Sequence, residues 1–205
     1  IRAVAPFNSK AEAWVNGRRL LFSKLTVDFK DHPDVIWFHA ASLGEFEQGR
    51  PVMEAFREKN PDTCILLTFF SPSGYEVRKD YDGADYVYYL PIDTRKNAGR
   101  FIDIVNPSAA VFIKYEFWFN YLDLLHQKGV PAYFISAIFR PSQHFFRPWG
   151  GWARKQLKKI SLLFVQDNAS ETRLEPIGIR RVLVSGETRF DRVKKIAEQK
   201  KDYPL

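Results

Sequence analysis

Between residues 35 and 184 the chain alternates short unbroken apolar runs with longer stretches whose apolar residues recur at helical spacing. Val35-Ile-Trp-Phe-His-Ala-Ala41 is the first such run, and its length and β-branched and aromatic content predict a buried strand. Cys64 to Phe70, Tyr86 to Leu90, Ala109 to Tyr115, Ala132 to Ala137, Leu162 to Gln166 and Arg181 to Val184 predict six more. Helices are expected from Glu45 to about Lys59, in a short piece after Ser71-Pro-Ser-Gly74, and from about Thr94 to Val105. Another is expected from about Phe117 to Gln127, closed by Gly129 and Pro131. Strands that are apolar on both faces, alternating with helices, form a parallel sheet covered on both sides. The expected fold is therefore α/β, a Rossmann-like, doubly wound parallel sheet.

The flanks read differently. Residues 9–25 mix aromatic, aliphatic and basic groups, the pattern of a short basic amphipathic helix that faces either a membrane or the domain itself, with Gly17 weakening it. Arg192 to Lys201 is a charged helical stretch leading toward Pro204. The division expected is one domain over residues 1–190, with 191–205 starting a connection to a further domain. The chain opens on Ile1, which suggests a piece of a longer protein.

Composition narrows the function classes. Hydrophobic residues make up 45% and charged residues 27%, which fits a packed globular domain rather than a disordered one. The lone cysteine, Cys64, excludes a disulfide framework, suggests a reducing compartment, and reads as core filling. A net charge of +7 favours anionic partners: nucleic acid, anionic lipid or a phosphorylated substrate. No stretch reaches the roughly 18 apolar residues of a membrane-spanning helix. No Gly-x-Gly-x-x-Gly follows the first strand and no phosphate-loop Gly-Lys-Ser/Thr occurs. The four histidines (His32, His39, His126, His144) lack metal-ligand spacing, and His39, inside a strand, reads as a satisfied core residue.

Ligands of open parallel sheets bind beyond the carboxyl ends of the strands. In Ser42-Leu-Gly-Glu45, Gly44 permits close approach of a ligand, and Glu45 stands at a helix N-terminus that favours its ionised form. Such a carboxylate is either a helix cap or a general base for a sugar hydroxyl. Ser71, Ser73 and Gly74 offer hydroxyls and amides that suit a phosphate or sugar, or make an ordinary capped turn. Lys114 and Glu116 end a buried strand, paired with each other or facing the cleft. Gly186 follows the last strand in Gly186-Glu-Thr-Arg-Phe-Asp191, which can aim Arg189 at an anionic ligand.

Taken together, these segments resemble a known family. His39-Ala-Ala-Ser-Leu-Gly-Glu45 resembles the signature of the transferases of Kdo (3-deoxy-D-manno-octulosonic acid), whose glutamate here is regarded as the catalytic base. Thr68-Phe-Phe-Ser-Pro-Ser-Gly74 is similar to their threonine-rich loop. Leu90-Pro-Ile-Asp93, Arg100-Phe101 and Pro107 fall where the family has Pro-x-Asp, Arg-Phe and Pro. Glu116-Phe-Trp-Phe-Asn120 is similar to Glu-Leu-Trp-Pro-Asn, and Gly186-Glu-Thr-Arg-Phe-Asp191 to Gly-Asn-x-Lys-Phe-Asp. The chain departs from the pattern at Lys114, where the family has a first glutamate, and at Phe119, where it has proline. Arg140 is displaced by two positions.

The resemblance implies the amino-terminal half of a twin-Rossmann (GT-B type) glycosyltransferase that inverts at the anomeric carbon, with no cofactor and no essential metal. Glu45 would be the catalytic residue, with Ser42, Gly44, Ser71, Ser73, Gly74, Glu116, Gly186 and Arg189 binding substrate. The donor implied is CMP-Kdo, held mainly by a carboxyl-terminal domain. The acceptor implied is a lipid A precursor at the cytoplasmic face of the bacterial inner membrane, whose anionic surface is a further partner; nucleic acid is not. The competing readings are another nucleotide-sugar transferase or epimerase of this architecture, and a non-catalytic module binding anionic lipid.

Overall fold

The computed structural model describes residues 5–30, 34–114 and 117–186. Two short helices, α1 (Ser9–Asn16) and α2 (Leu21–Asp28), precede β1 (Val35–Ala40). Then follow α3 (Leu43–Lys59), β2 (Cys64–Phe69), α4 (Pro72–Arg78), β3 (Tyr86–Tyr89), α5 (Arg95–Val105), β4 (Ala109–Ile113), α6 (Phe119–Gln127) and β5 (Ala132–Ala137). The last elements are α7 (Gly151–Leu157), β6 (Leu162–Val165), α8 (Asn168–Leu174) and β7 (Val182–Val184). The seven strands make one sheet in the order β3-β2-β1-β4-β5-β6-β7, every pair parallel. This is the doubly wound sheet the apolar runs predict.

Helices pack on both faces because both faces of the strands are apolar. On one side α3 places Phe46 and Met53 against Phe38, Ile65, Leu67 and Phe69. On the other, α5 buries Ala98, Phe101, Ile102 and Val105, the three-and-four spacing of a single helix face, against Trp37 and Phe112. Thr94 caps α5 by accepting from the Asn97 amide at 3.2 Å. Gly49 lets α3 lie close to the sheet: a Cβ there would come within 2.2 Å of Ile113 Cδ1.

One buried polar cluster ties the central strands. The Thr68 hydroxyl accepts from the Trp37 indole N–H at 2.7 Å, meets His39 Nδ1 at 2.9 Å and donates to the Phe38 carbonyl at 3.3 Å. His39 and Thr68 are wholly buried, so His39 is a core residue as expected, held to Thr68 through Nδ1. Thr68→Val keeps the shape but strands the indole donor, and an unsatisfied buried donor costs about 1–3 kcal/mol. Urea denaturation is expected to show a loss of about 2 kcal/mol, and an unchanged midpoint would remove the hydroxyl from any structural role. Cys64 is buried, and burial, assisted by nearby Asp85, pushes its thiol up to about 11.

The structure corrects several boundaries. Residues 9–25 form not one helix but two, broken at Gly17–Leu20, because Gly17 crosses Tyr89 where a Cβ would lie 2.1 Å from the ring. β4 stops at Ile113 because Lys114 turns into the left-handed region at φ +66°. Helices α7 and α8 are not among the expected elements, although Asp167 caps α8 by accepting from the Ser170 amide at 2.6 Å. Gly150 and Gly151 obscure the start of α7, and α8 buries only Ser170 and Leu174. The expected helix over 192–201 and the connection from 191 lie outside the described residues.

Candidate active site

Strand order decides where a ligand can sit. From β1 the chain leaves through α3 toward β2, whereas β4, on the other flank of β1, leads away to β5. The connections therefore diverge beyond the carboxyl ends of β1 and β4, and a crevice opens there. Ser42 and α3 follow β1 directly, so the first turn of α3 forms one wall.

Glu45 is half-buried in that turn. Its Oε2 accepts from the Ser42 backbone N–H at 3.0 Å and from the Ser42 hydroxyl at 3.2 Å, the reciprocal arrangement of a capping box. Glu45 thus caps α3 in the turn that forms this wall of the crevice. At Gly44 nothing lies within 4 Å of where a Cβ would stand, so the fold itself does not demand glycine there.

The loop after β2 joins this wall. The Ser71 amide donates to the Ala41 carbonyl at 2.8 Å, which sets Ser71 beside the Ser42 loop. Ser71 caps α4 by accepting from the Ser73 amide at 3.3 Å, and the two hydroxyls are 3.0 Å apart. Both serines remain at the surface side of the loop. Gly74 turns inward, its amide donating to the Ser71 carbonyl, and a Cβ there would meet Phe69 at 2.2 Å. Packing on Phe69 by itself requires a glycine here.

Not all candidates converge. Ser42, Gly44, Glu45, Ser71 and Ser73 share one end of β1 and β2. Gly186, left-handed at φ +75°, follows β7 at the opposite edge. Four strand spacings separate β7 from β1, or about 19 Å at ~4.8 Å each. Glu116 and Arg189 lie outside the described residues.

Two structural features here were missed in the sequence. Lys114 (φ +66°) and Ser136 (φ +54°), at the ends of β4 and β5, hold left-handed backbone that non-glycine residues rarely adopt. Such conformations cluster around functional sites, here on the flank opposite Glu45. The second is an aromatic row along the carboxyl edge: Trp14 to Phe70 at 5.8 Å, Phe70 to Trp118 at 4.8 Å, and Trp118 to His39 at 5.5 Å between ring centroids.

Arg18 pins the start of that row. Its guanidinium donates to the carbonyls of Phe70 (2.8 Å), Leu90 (3.1 Å) and Trp14 (3.1 Å) and lies against the rings of Trp14, Tyr89 and Phe70. Burial draws its pKa down to about 10, so it stays charged near neutrality. Beside it Asp93 accepts from the Asn120 amide at 3.4 Å, while the Asn120 side chain donates to the Asp93 carbonyl at 3.2 Å. Burial raises the Asp93 carboxyl, against the pull of those donors at the start of α6. The Pro-x-Asp and Trp-x-Asn segments are thus two halves of one contact.

Among the described residues no cluster of three His, Cys, Asp or Glu side chains is arranged to hold a metal ion, and no helix is long and apolar enough to cross a membrane.

Comparison with known proteins decides the family. The profile described as 3-deoxy-D-manno-octulosonic-acid transferase (kdotransferase) matches residues 15–192. The chain belongs to the Kdo transferase family. It is 28% identical over 163 residues to the 3-deoxy-D-manno-octulosonic acid transferase of Haemophilus influenzae, covering 78% of this chain and 38% of that protein. The same identity over 163 residues holds for the Aquifex aeolicus 3-deoxy-D-manno-octulosonic acid transferase, covering 78% and 42%. This Kdo transferase chain thus spans about two-fifths of the length of these relatives.

Solved structures agree on the fold. UDP-GlcNAc 2-epimerase from Neisseria meningitidis, bound to UDP-GlcNAc, matches with a TM-score of 0.56 at 17% identity, over 81% of this chain and 50% of that one. The Methanocaldococcus jannaschii UDP-GlcNAc 2-epimerase gives 0.57 at 16%, over 81% and 50%. At that identity the likeness carries the GT-B type architecture alone.

Proposed function

We propose that this chain forms the acceptor side of an inverting glycosyltransferase that moves Kdo from CMP-Kdo to a lipid A precursor. The observation that carries the reading is the placement of Glu45 at the first turn of α3, directly beyond β1 at the divergence of the connections. There it takes the proton of the acceptor hydroxyl. The oxygen attacks the Kdo anomeric carbon from the face opposite the nucleotide, the bond to the CMP phosphate oxygen breaks, and CMP leaves with the electron pair. Ser42, Ser71 and Ser73 line the acceptor wall. The donor is held mainly by a second domain, and holding both substrates between two domains supplies much of the rate. The net charge of +7 suits a phosphorylated lipid in the anionic cytoplasmic face of the inner membrane.

The test supplies the full-length protein with CMP-Kdo and a phosphorylated lipid A precursor in the presence of EDTA. Transfer with inverted anomeric configuration, read by NMR, is expected, and residues 1–205 alone are expected to show little or none. No transfer from CMP-Kdo, retained configuration, loss in EDTA, or robust turnover by residues 1–205 would each break a stated part of the reading.

A further inference from the structure

A cavity of about 510 Å³ lies between the α1–α2 turn and the chain leaving β3. That volume is in the range of small-molecule sites, roughly 300–1,000 Å³. Its walls are partly aromatic and aliphatic, including Trp14, Val15, Leu21 and Ile92, while Asn16, Arg18, Arg19 and Asn97 supply polar groups. Arg100 lies over the Phe22 ring, another wall residue, at 4.4 Å. The first turn of α5 beside it adds Lys96, whereas the neighbouring Arg95 is paired with Asp123 at 3.0 Å.

We infer that this cavity seats one acyl chain of the acceptor lipid, with Arg19 and Arg100 toward its phosphate; this rests on the acceptor reading above. Trp14, Val15, Leu21, Phe22, Pro91 and Ile92 make up most of the lining, and that apolar part of the wall suits an alkyl chain. The cations suit the anionic end of the same molecule. The cavity also belongs to the edge that carries Glu45. Pro91 and Ile92 follow β3, two strand spacings from β1, about 10 Å. Arg18 is a shared wall: it lines the cavity and donates to the Phe70 carbonyl of the loop that carries Ser71. A lipid seated there is therefore held with its headgroup on the path to the crevice.

Two measurements on the full-length protein test this. The first is quenching of tryptophan fluorescence by a lysophosphatidic acid with a brominated acyl chain, in wild type and Trp14→Phe. A quenched component that disappears with Trp14 is expected; quenching indifferent to Trp14 overturns the inference. The second compares an acylated acceptor with its deacylated headgroup in wild type and Ile92→Trp, a substitution that fills the cavity mouth. The acylated acceptor's KM should rise about tenfold, the effect of excluding roughly two buried methylenes, with the deacylated acceptor's KM unchanged. Equal effects on both acceptors, or none, overturn the inference. Trp14-dependent quenching in a protein that transfers to neither acceptor would sink the enzymatic reading and assign the cavity to a bulk membrane lipid instead.

Discussion

Glu45→Gln in the full-length protein is expected to lower kcat for Kdo transfer by roughly 10²–10⁴-fold, the usual contribution of a general base, while leaving the fold intact. Glutamine is an accepted partner in a capping box. Its amide oxygen can still receive the Ser42 N–H that Glu45 Oε2 now accepts at 3.0 Å. The substitution therefore separates two roles that share one side chain. If Glu45 only caps α3, the variant keeps its melting temperature and its rate. If it takes the acceptor proton, the melting temperature stays and the rate falls. A pH–rate profile adds a second check, because loss of the base removes the acidic limb of kcat.

The second large effect is structural. Arg18→Ala is expected to destabilise the protein by about 3 kcal/mol or more, since it strips the partner from three carbonyls and removes a cation from among three aromatic rings. For a chain of this size that is a fall in melting temperature of roughly 6–12 °C. Arg18→Lys should recover only part, because an ammonium cannot span carbonyls in α1 and beyond β2 and β3 with a planar fork. Scanning calorimetry decides it; a loss below 1 kcal/mol for Arg18→Ala would mean that α1 is held to the sheet by its apolar contacts alone.

Much of this arrangement is legible in the residues. Unbroken runs such as Cys64 to Phe69 are buried at every position, which is why they read as strands without alternation. Ser42 and Glu45, three apart before an apolar helix face, announce the start of α3. The crevice itself was inferable only because the site rule depends on strand direction, which short apolar runs separated by helices already imply. Other features depend on contacts distant in sequence. Nothing near Gly74 tells that it packs on Phe69, and nothing near Lys114 or Ser136 tells that these non-glycine residues adopt left-handed backbone. Arg18 reads locally as one cation in a basic segment, yet two of its three carbonyl partners lie 52 and 72 residues away. The cavity is equally non-local, since its two walls meet only when α2 and the start of α5 pack.

The placement of β1 inside the sheet, between β2 and β4, also governs the order of assembly. Its two neighbours are residues 64–69 and 109–113, both later in the chain. On a ribosome adding about 5–20 residues per second, β4 emerges roughly 4–15 s after β1. Throughout that interval Val35–Ala40, apolar on both faces, is paired at most along one edge. The same connectivity that sets Glu45 at the crevice thus makes its supporting strand the sticky surface of the nascent chain, and the most natural early target for a chaperone.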